Sequence, residues 1–244
     1  MTIFLTSSPT GPLDGSRAVD GFDRKNRFYE NLKSRWKSDA KCLIISAFPE
    51  EDEANDGMLK FMTETLKKEA FSFSRFDIWD RRTEDFSRQT LLSYDVIFLG
   101  GGHVPTENAF FHRIQLREKI AGFEGMIIGI SAGTMNSADI VYAQPELPGE
   151  ATDPKYERFL QGLGLTRTNI LPHYQMVKDS LLDGVRLYED ITYADSAGRR
   201  FLVLPDGSYL LIEDGTETVY GEAYLIADGT IERICEEDQT VIFL

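Results

Sequence analysis

Histidine, cysteine and positive charge are all scarce in this chain of 244 residues, and each shortage narrows what it can be. The two cysteines, Cys42 and Cys235, are far apart and form no C-x-x-C pattern. They read as reduced, buried thiols of a cytoplasmic protein, a disulfide between them being the lesser alternative. Lys and Arg together number 26 against 40 Asp and Glu, a formal charge of −14. Such a field repels polyanions, which excludes nucleic acid as a partner and requires any acidic substrate to meet a local cluster of arginines. No apolar run approaches the roughly 20 residues of a membrane span, so no membrane partner is expected. The Met1–Ser8 stretch has neither a basic start nor a long apolar core, and no secretory signal is expected there. The glycine-rich runs lack both the Lys-Ser/Thr of a phosphate-binding loop and the later glycine of a dinucleotide fingerprint, so nucleotide binding is not expected.

What is present is enough for a substantial core. With 42% apolar and 27% charged residues, the composition is globular, and residues 1–244 are read as one α/β domain. Thr2 to Ser7, Lys41 to Ala47, Phe71 to Trp79, Tyr94 to Leu99 and Met126 to Ile130 read as strands. Helical spacing marks Gly21 to Trp36 (with Asp20 as N-cap), the face of Leu59, Met62 and Leu66, Thr83 to Leu92, Asn108 to Ile120 and Ala132 to Ile140. Strands alternating with helices imply a mostly parallel sheet flanked by helices, with sites at the carboxyl ends of its strands. Ala143 to Lys155 reads as a non-regular loop, Thr168 to Leu171 as a strand and the surroundings of Leu181, Val185 and Tyr188 as a helix. Beyond Phe201, Asp206-Gly207, Asp214-Gly215 and Asp228-Gly229 read as tight turns, giving antiparallel hairpins in the C-terminal third.

One stretch organises the rest. In Met126-Ile-Ile-Gly-Ile-Ser131-Ala-Gly, Gly129 and Gly133 bracket a serine at a strand-to-helix turn, where a Cβ at either glycine would crowd the backbone. Such a turn exposes a nucleophilic hydroxyl and sets the Ala132 amide beside it as an oxyanion donor. Gly101 or Gly102, in the Gly100-Gly-Gly102 turn after another strand, would supply a second donor. A serine nucleophile needs a base, and only three histidines exist. His112 lies mid-helix away from the apolar stripe. His103 follows the triple glycine and is expected to line the pocket, where it contacts substrate or caps the next helix. His173 ends a strand after Pro172, which fixes the direction in which the ring leaves the sheet, and it is the expected base. Among acids between Ser131 and His173, Glu146 is singled out as the orienting carboxylate because Pro145 and Pro148 stiffen its loop; Glu150 is the alternative.

A triple-glycine turn, then Gly-Ile-Ser-Ala-Gly, then Pro172-His-Tyr resembles the dipeptidase E and cyanophycinase family of serine peptidases over roughly residues 40 to 225. That resemblance implies a fold similar to class I glutamine amidotransferases, Ser131 as nucleophile, His173 as base, and an acid that lands on Glu146 by the spacing of dipeptidase E or nearer Glu150 by that of cyanophycinase. It also implies oxyanion donors at Gly101 or Gly102 and Ala132, and no metal or cofactor. The implied reaction is exopeptidase cleavage of small peptides, dipeptides foremost and N-terminal aspartyl dipeptides among them. Basic side chains would read such an acid; Arg186, Arg199 and Arg200 are the candidates in this chain, matched to no family motif, with plain surface charge the favoured alternative for all three. A homodimer is compatible with the sequence. Two other classes remain open at this stage, an esterase and a non-catalytic binding or regulatory protein of the same fold.

Overall fold

The structure is a computed structural model that describes residues 1–10 and 21–243. Asp20, the expected N-cap, and the Gly11-Pro12 part of the first loop lie outside the described residues. After β1 (Thr2–Thr6), helix α1 begins only at Phe28 (Phe28–Arg35). Asn26 and Arg27 hold φ of 52° and 59°, and this left-handed pair turns the chain before regular helix can start. Then follow β2 (Ala40–Ile45), α2 (Asp52–Lys68), β3 (Phe73–Trp79), α3 (Arg88–Leu91) and β4 (Val96–Leu99). The helix expected over Asn108 to Ile120 is two, α4 (Val104–Arg113) and α5 (Leu116–Ile120), because Gln115 at φ 54° breaks it. Next come β5 (Met126–Ile130) and α6 (Ala132–Asn136), which stops short of Ile140 because residues Ile140–Tyr142 form strand β6.

Beyond these lie β7 (Phe159–Gln161), β8 (Asn169–Leu171), α7 (Tyr174–Val177), β9 (Leu181–Leu182) and β10 (Val185–Arg186). The helix expected around Leu181 and Val185 is instead a hairpin, since Asp183 and Gly184 take φ of 53° and 85°, the two-residue turn that strand twist favours. A π-helical turn (Leu187–Thr192) and α8 (Tyr193–Asp195) then lead to β11 (Arg200–Val203), β12 (Tyr209–Glu213), β13 (Thr216–Tyr220), β14 (Ala223–Ala227), β15 (Thr230–Cys235) and β16 (Thr240–Ile242).

The main sheet has the order β16-β13-β12-β1-β5-β4-β2-β3. Its five strands from β1 to β3 are all parallel, and the three at the other end are antiparallel. The inner parallel strands β1, β5, β4 and β2 are largely apolar on both faces, as burial under helices on both sides requires, whereas the edge strand β3 carries Ser74, Arg75 and Asp77. Ile97 and Leu99 of β4 join Leu5 and Ile127 in one core, while Val96 and Phe98 join Phe4, Ile128, Met62 and Leu66 in the other. Each such buried side chain contributes about 1.5–3 kcal/mol. A second sheet, β15-β14-β11-β8, encloses a third core around Leu171, Phe201 and Val203. Within it β8 and β11 run parallel, with Leu171 opposite Val203, so the chain leaves both strands on the same side. The Asp214-Gly215 and Asp228-Gly229 pairs close hairpins as expected. Asp206-Gly207 does not: it carries the chain from β11 in the second sheet to β12 in the first. Both cysteines are free and buried. Among the described residues no helix is long and apolar enough to cross a membrane.

Candidate active site

Ser131 stands at the end of β5 with φ 50° and ψ −108°, a backbone state that a non-glycine residue holds at a cost of about 1–3 kcal/mol. Neighbouring strand ends hold it there. The Ser131 N–H donates to the Thr6 carbonyl at 3.1 Å, Thr134 Oγ1 donates to the same carbonyl at 2.8 Å, and Thr6 Oγ1 donates to the Gly129 carbonyl at 2.8 Å. On the other side the Gly133 N–H donates to the Gly100 carbonyl at 2.9 Å. The turn is thus tied to β1 and to the triple-glycine turn after β4. The bracketing glycines are required by space: a Cβ on Gly133 would stand 2.5 Å from the Leu99 carbonyl oxygen, and one on Gly129 would stand 2.9 Å from Thr134 Oγ1. Gly133→Ala is therefore expected to force α6 away from β4 and to lower the thermal midpoint by at least about 3 °C, read by circular dichroism. An unchanged midpoint would contradict this packing.

His173 follows β8 and Pro172, with φ 58° and ψ 33°, and its N–H donates to Ser7 Oγ at 2.8 Å. Its Nε2 lies 2.8 Å from Ser131 Oγ, and its Nδ1 lies 2.6 Å from Asp206 Oδ1. The Asp206 side chain is fully buried, and Ser7 Oγ donates to its Oδ1 at 2.7 Å. The Asp206 N–H donates to Gln175 Oε1 at 3.0 Å, which fixes the loop that presents the carboxylate. With Asp206 ionised, its carboxylate can only accept, which puts the proton on Nδ1 and leaves Nε2 to accept from the serine hydroxyl. The fold explains the meeting. The ends of parallel β8 and β11 deliver His173 and Asp206 side by side, and β1 and β5 deliver Ser7 and Ser131 from the main sheet.

Ser131 and His173, proposed as partners from the sequence, are thus in hydrogen-bond contact. Glu146 does not bond the ring, although it borders the same cavity. Among the described residues no hydrogen bond joins its carboxylate to His173; its N–H donates to Glu150 Oε2 at 2.8 Å, and the Nδ1 side of the ring faces the end of β11 instead. Glu150, the alternative, is committed to His103: its Oε1 lies 2.8 Å from His103 Nε2. His103 Nδ1 meets Thr106 Oγ1 at 2.8 Å, so both ring nitrogens expected to meet substrate are engaged within the protein. His112 is exposed and bonds the Gln161 carbonyl. Asp206 and Ser7 were missed by sequence reasoning. The signal at Asp206 was the Asp-Gly pair, read there as a hairpin turn.

The triple-glycine turn passes beside the serine, since a Cβ on Gly101 would stand 3.5 Å from Ser131 Cβ. Among the described residues the N–H groups of Gly101 and Gly102 donate to no backbone carbonyl. Two cavities, of about 320 and about 330 Å³, meet at Ser131 and His173. The first is bounded by Gly100, Gly101 and Gly102, the second by Gln144, Glu146 and Leu187.

A buried polar network fixes α6 from behind. Asn136 Nδ2 donates to Glu107 Oε2 at 2.9 Å and to the Val104 carbonyl at 3.1 Å, while Asn108 Nδ2 donates to Asn136 Oδ1 at 2.9 Å. Glu107 is wholly buried, and burial pushes its carboxyl well above the usual range. A carboxyl whose folded pKa exceeds its unfolded one contributes stability that is complete below the unfolded value and is lost as pH rises through the folded value. Thermal midpoints are thus expected to fall as pH rises above the ordinary carboxyl range toward the raised folded value, and Glu107→Gln is expected to flatten that fall; an identical slope in the variant would contradict the assignment.

The model of peptidase family S51 matches residues 30–220 of the chain. Comparison with curated proteins gives no match. Among solved structures, a peptidase from an acI-B1 Actinobacterium is similar with a TM-score of 0.65 and 15% identity, covering 99% of this chain and 96% of that one. A Listeria monocytogenes EGD-e protein assigned to peptidase E is similar with a TM-score of 0.50 and 18% identity, covering 96% of this chain and 97% of that one. At these identities the two structures speak for the fold, a mostly parallel sheet flanked by helices with antiparallel strands toward the C-terminus.

Proposed function

The chain belongs to peptidase family S51 and is a serine-type peptidase, and from that premise we propose that it is an exopeptidase that cleaves small peptides, dipeptides foremost, through an acyl-enzyme. Ser131 is the nucleophile, His173 the base, and Asp206 the carboxylate that orients the ring and stabilises its cation. The single observation that carries this reading is the unbroken contact from Ser131 Oγ through the imidazole to Asp206, at 2.8 and 2.6 Å.

In the reaction, Nε2 takes the hydroxyl proton as Oγ attacks the scissile carbonyl, and the Nδ1–H to Asp206 contact keeps Nε2 unprotonated and aimed beforehand. The amides of Gly101, Gly102 and Ala132 are the donors proposed for the oxyanion, supported by the closeness of the Gly101 backbone to Ser131. The imidazolium then gives its proton to the departing amine, and water, deprotonated by the same ring, releases the acyl group. Small substrates are favoured because each of the two cavities meeting at the serine sits near the lower end of the roughly 300–1,000 Å³ usual for small-ligand sites.

The test is product analysis by chromatography of unblocked dipeptides, tetrapeptides and their doubly blocked forms after exposure to the purified protein. Free amino acids from the dipeptides, with blocked tetrapeptides untouched, are expected. Internal cleavage of blocked tetrapeptides would overturn the exopeptidase reading.

A further inference from the structure

The two cavities at the serine differ in character. On the triple-glycine side the floor is the carboxyl end of the parallel sheet, with Ile44 of β2, Phe98 of β4 and Ile130 of β5. The wall is the face of α2 that carries Met58, Phe61 and Met62, positions three and four apart that lie on one side of a helix. Hydroxyls at the rim already have partners: Ser7 Oγ donates to Asp206 and accepts from the His173 amide, and Ser8 shares a hydrogen bond with Thr10. No Lys, Arg, Asp or Glu is among the described residues that line this cavity.

The arginines considered for reading an acidic substrate are placed elsewhere. Arg199 stacks on the Phe159 ring at 4.3 Å, Arg200 stacks on Phe243 at 5.1 Å beside a different cavity, and Arg186 lies 4.0 Å from Glu189. A carboxylate entering the cavity would lose its water and meet apolar carbon, which costs far more than it returns. The net charge of −14 adds repulsion at long range. An apolar side chain gains by the same transfer, and the flexible thioethers of Met58 and Met62 adapt to its shape.

Resting on the peptidase reading above, we propose that this cavity is the specificity pocket for a residue flanking the scissile bond, and that the side chain it selects is large and apolar, of the leucine, methionine or phenylalanine class, rather than acidic. Met58, Phe61 and Met62 on α2 then determine specificity without taking part in the chemistry.

The experiment uses dipeptides of the forms X-Ala and Ala-X, with X as Leu, Met, Phe, Asp, Glu or Lys. Hydrolysis is measured with the wild-type protein, and binding of the same peptides is measured by calorimetry with Ser131→Ala. At one position at least, an apolar X is expected to exceed Asp and Glu by about tenfold or more in both kcat/KM and affinity. Met58→Arg should abolish or invert that ratio, and Phe61→Ala, at a position already 38% exposed and so tolerant of change, should reduce it. Equal or acidic preference at both positions, or a ratio unmoved in both variants when thermal melts show them folded, would overturn the proposal. Apolar preference in binding to Ser131→Ala with no hydrolysis by the wild type would uphold the pocket and refute the exopeptidase reading. Hydrolysis with an acidic preference would do the reverse.

Discussion

Ser131→Ala is expected to lower kcat/KM for peptide hydrolysis by about 10⁶-fold, the scale of loss when a serine hydrolase is deprived of its attacking oxygen. The loss should fall on kcat, because the cavities on either side of residue 131 remain and ground-state binding is little changed. A smaller loss is not expected from partial rescue by a neighbour. Ser7, another hydroxyl on the His173 side, is held by Asp206 and by the His173 amide, while the His173 Nε2 is committed to Ser131. The φ of 50° at residue 131 is held by backbone hydrogen bonds that the substitution leaves in place, so the fold should be retained and the thermal midpoint nearly unmoved. Activity within about tenfold of wild type, measured with the same peptide at saturating and limiting concentrations, would remove Ser131 from the mechanism.

The second large effect is at Asp206. Asp206→Asn keeps the shape but can donate an amide hydrogen bond to Nδ1, which would favour the tautomer with the proton on Nε2 and leave no lone pair to accept from Ser131. A fall in kcat of about 10⁴-fold is expected, as for the equivalent change in a serine-histidine-aspartate triad. Glu146→Gln is the informative comparison. Its carboxylate makes no hydrogen bond to His173 among the described residues, so kcat should change little. The reverse pattern, a large loss at Glu146 and a small one at Asp206, would restore the carboxylate that the residue order favoured. Stopped-flow and steady-state rates for the two variants, measured side by side, decide between them.

Why the serine and the histidine were legible and the carboxylate was not follows from where each residue's signal resides. The serine turn is a local feature: apolar strand, two glycines and a small helical start all fall within a few residues, and the steric need for Gly129 and Gly133 can be argued before any fold is known. His173 was found through scarcity, as one of three histidines and the one set after Pro172 at the end of a strand. Asp206 has no comparable signature. It lies beyond His173 in the chain, in an Asp-Gly pair that looks the same as the pairs at 214–215 and 228–229, and those two do close hairpins. What separates it is that β11 pairs with β8 while β12 pairs with β1, a matter of long-range sheet order that no local pattern encodes. The parallel core was legible because strands buried on both faces are apolar throughout, as β4 and β5 are. The break at Gln115 and the hairpin at Asp183-Gly184 were not, because each depends on left-handed φ values that helical spacing of the flanking apolar residues conceals.

The most direct test of the central claim is labelling with a fluorophosphonate, followed by peptide mapping by mass spectrometry. One adduct per chain on the peptide that holds Ser131, lost in Ser131→Ala and strongly slowed in Asp206→Asn, is the expected result. Absence of an adduct on the wild-type protein, or an adduct on a different residue at an equal rate in all three proteins, would contradict it.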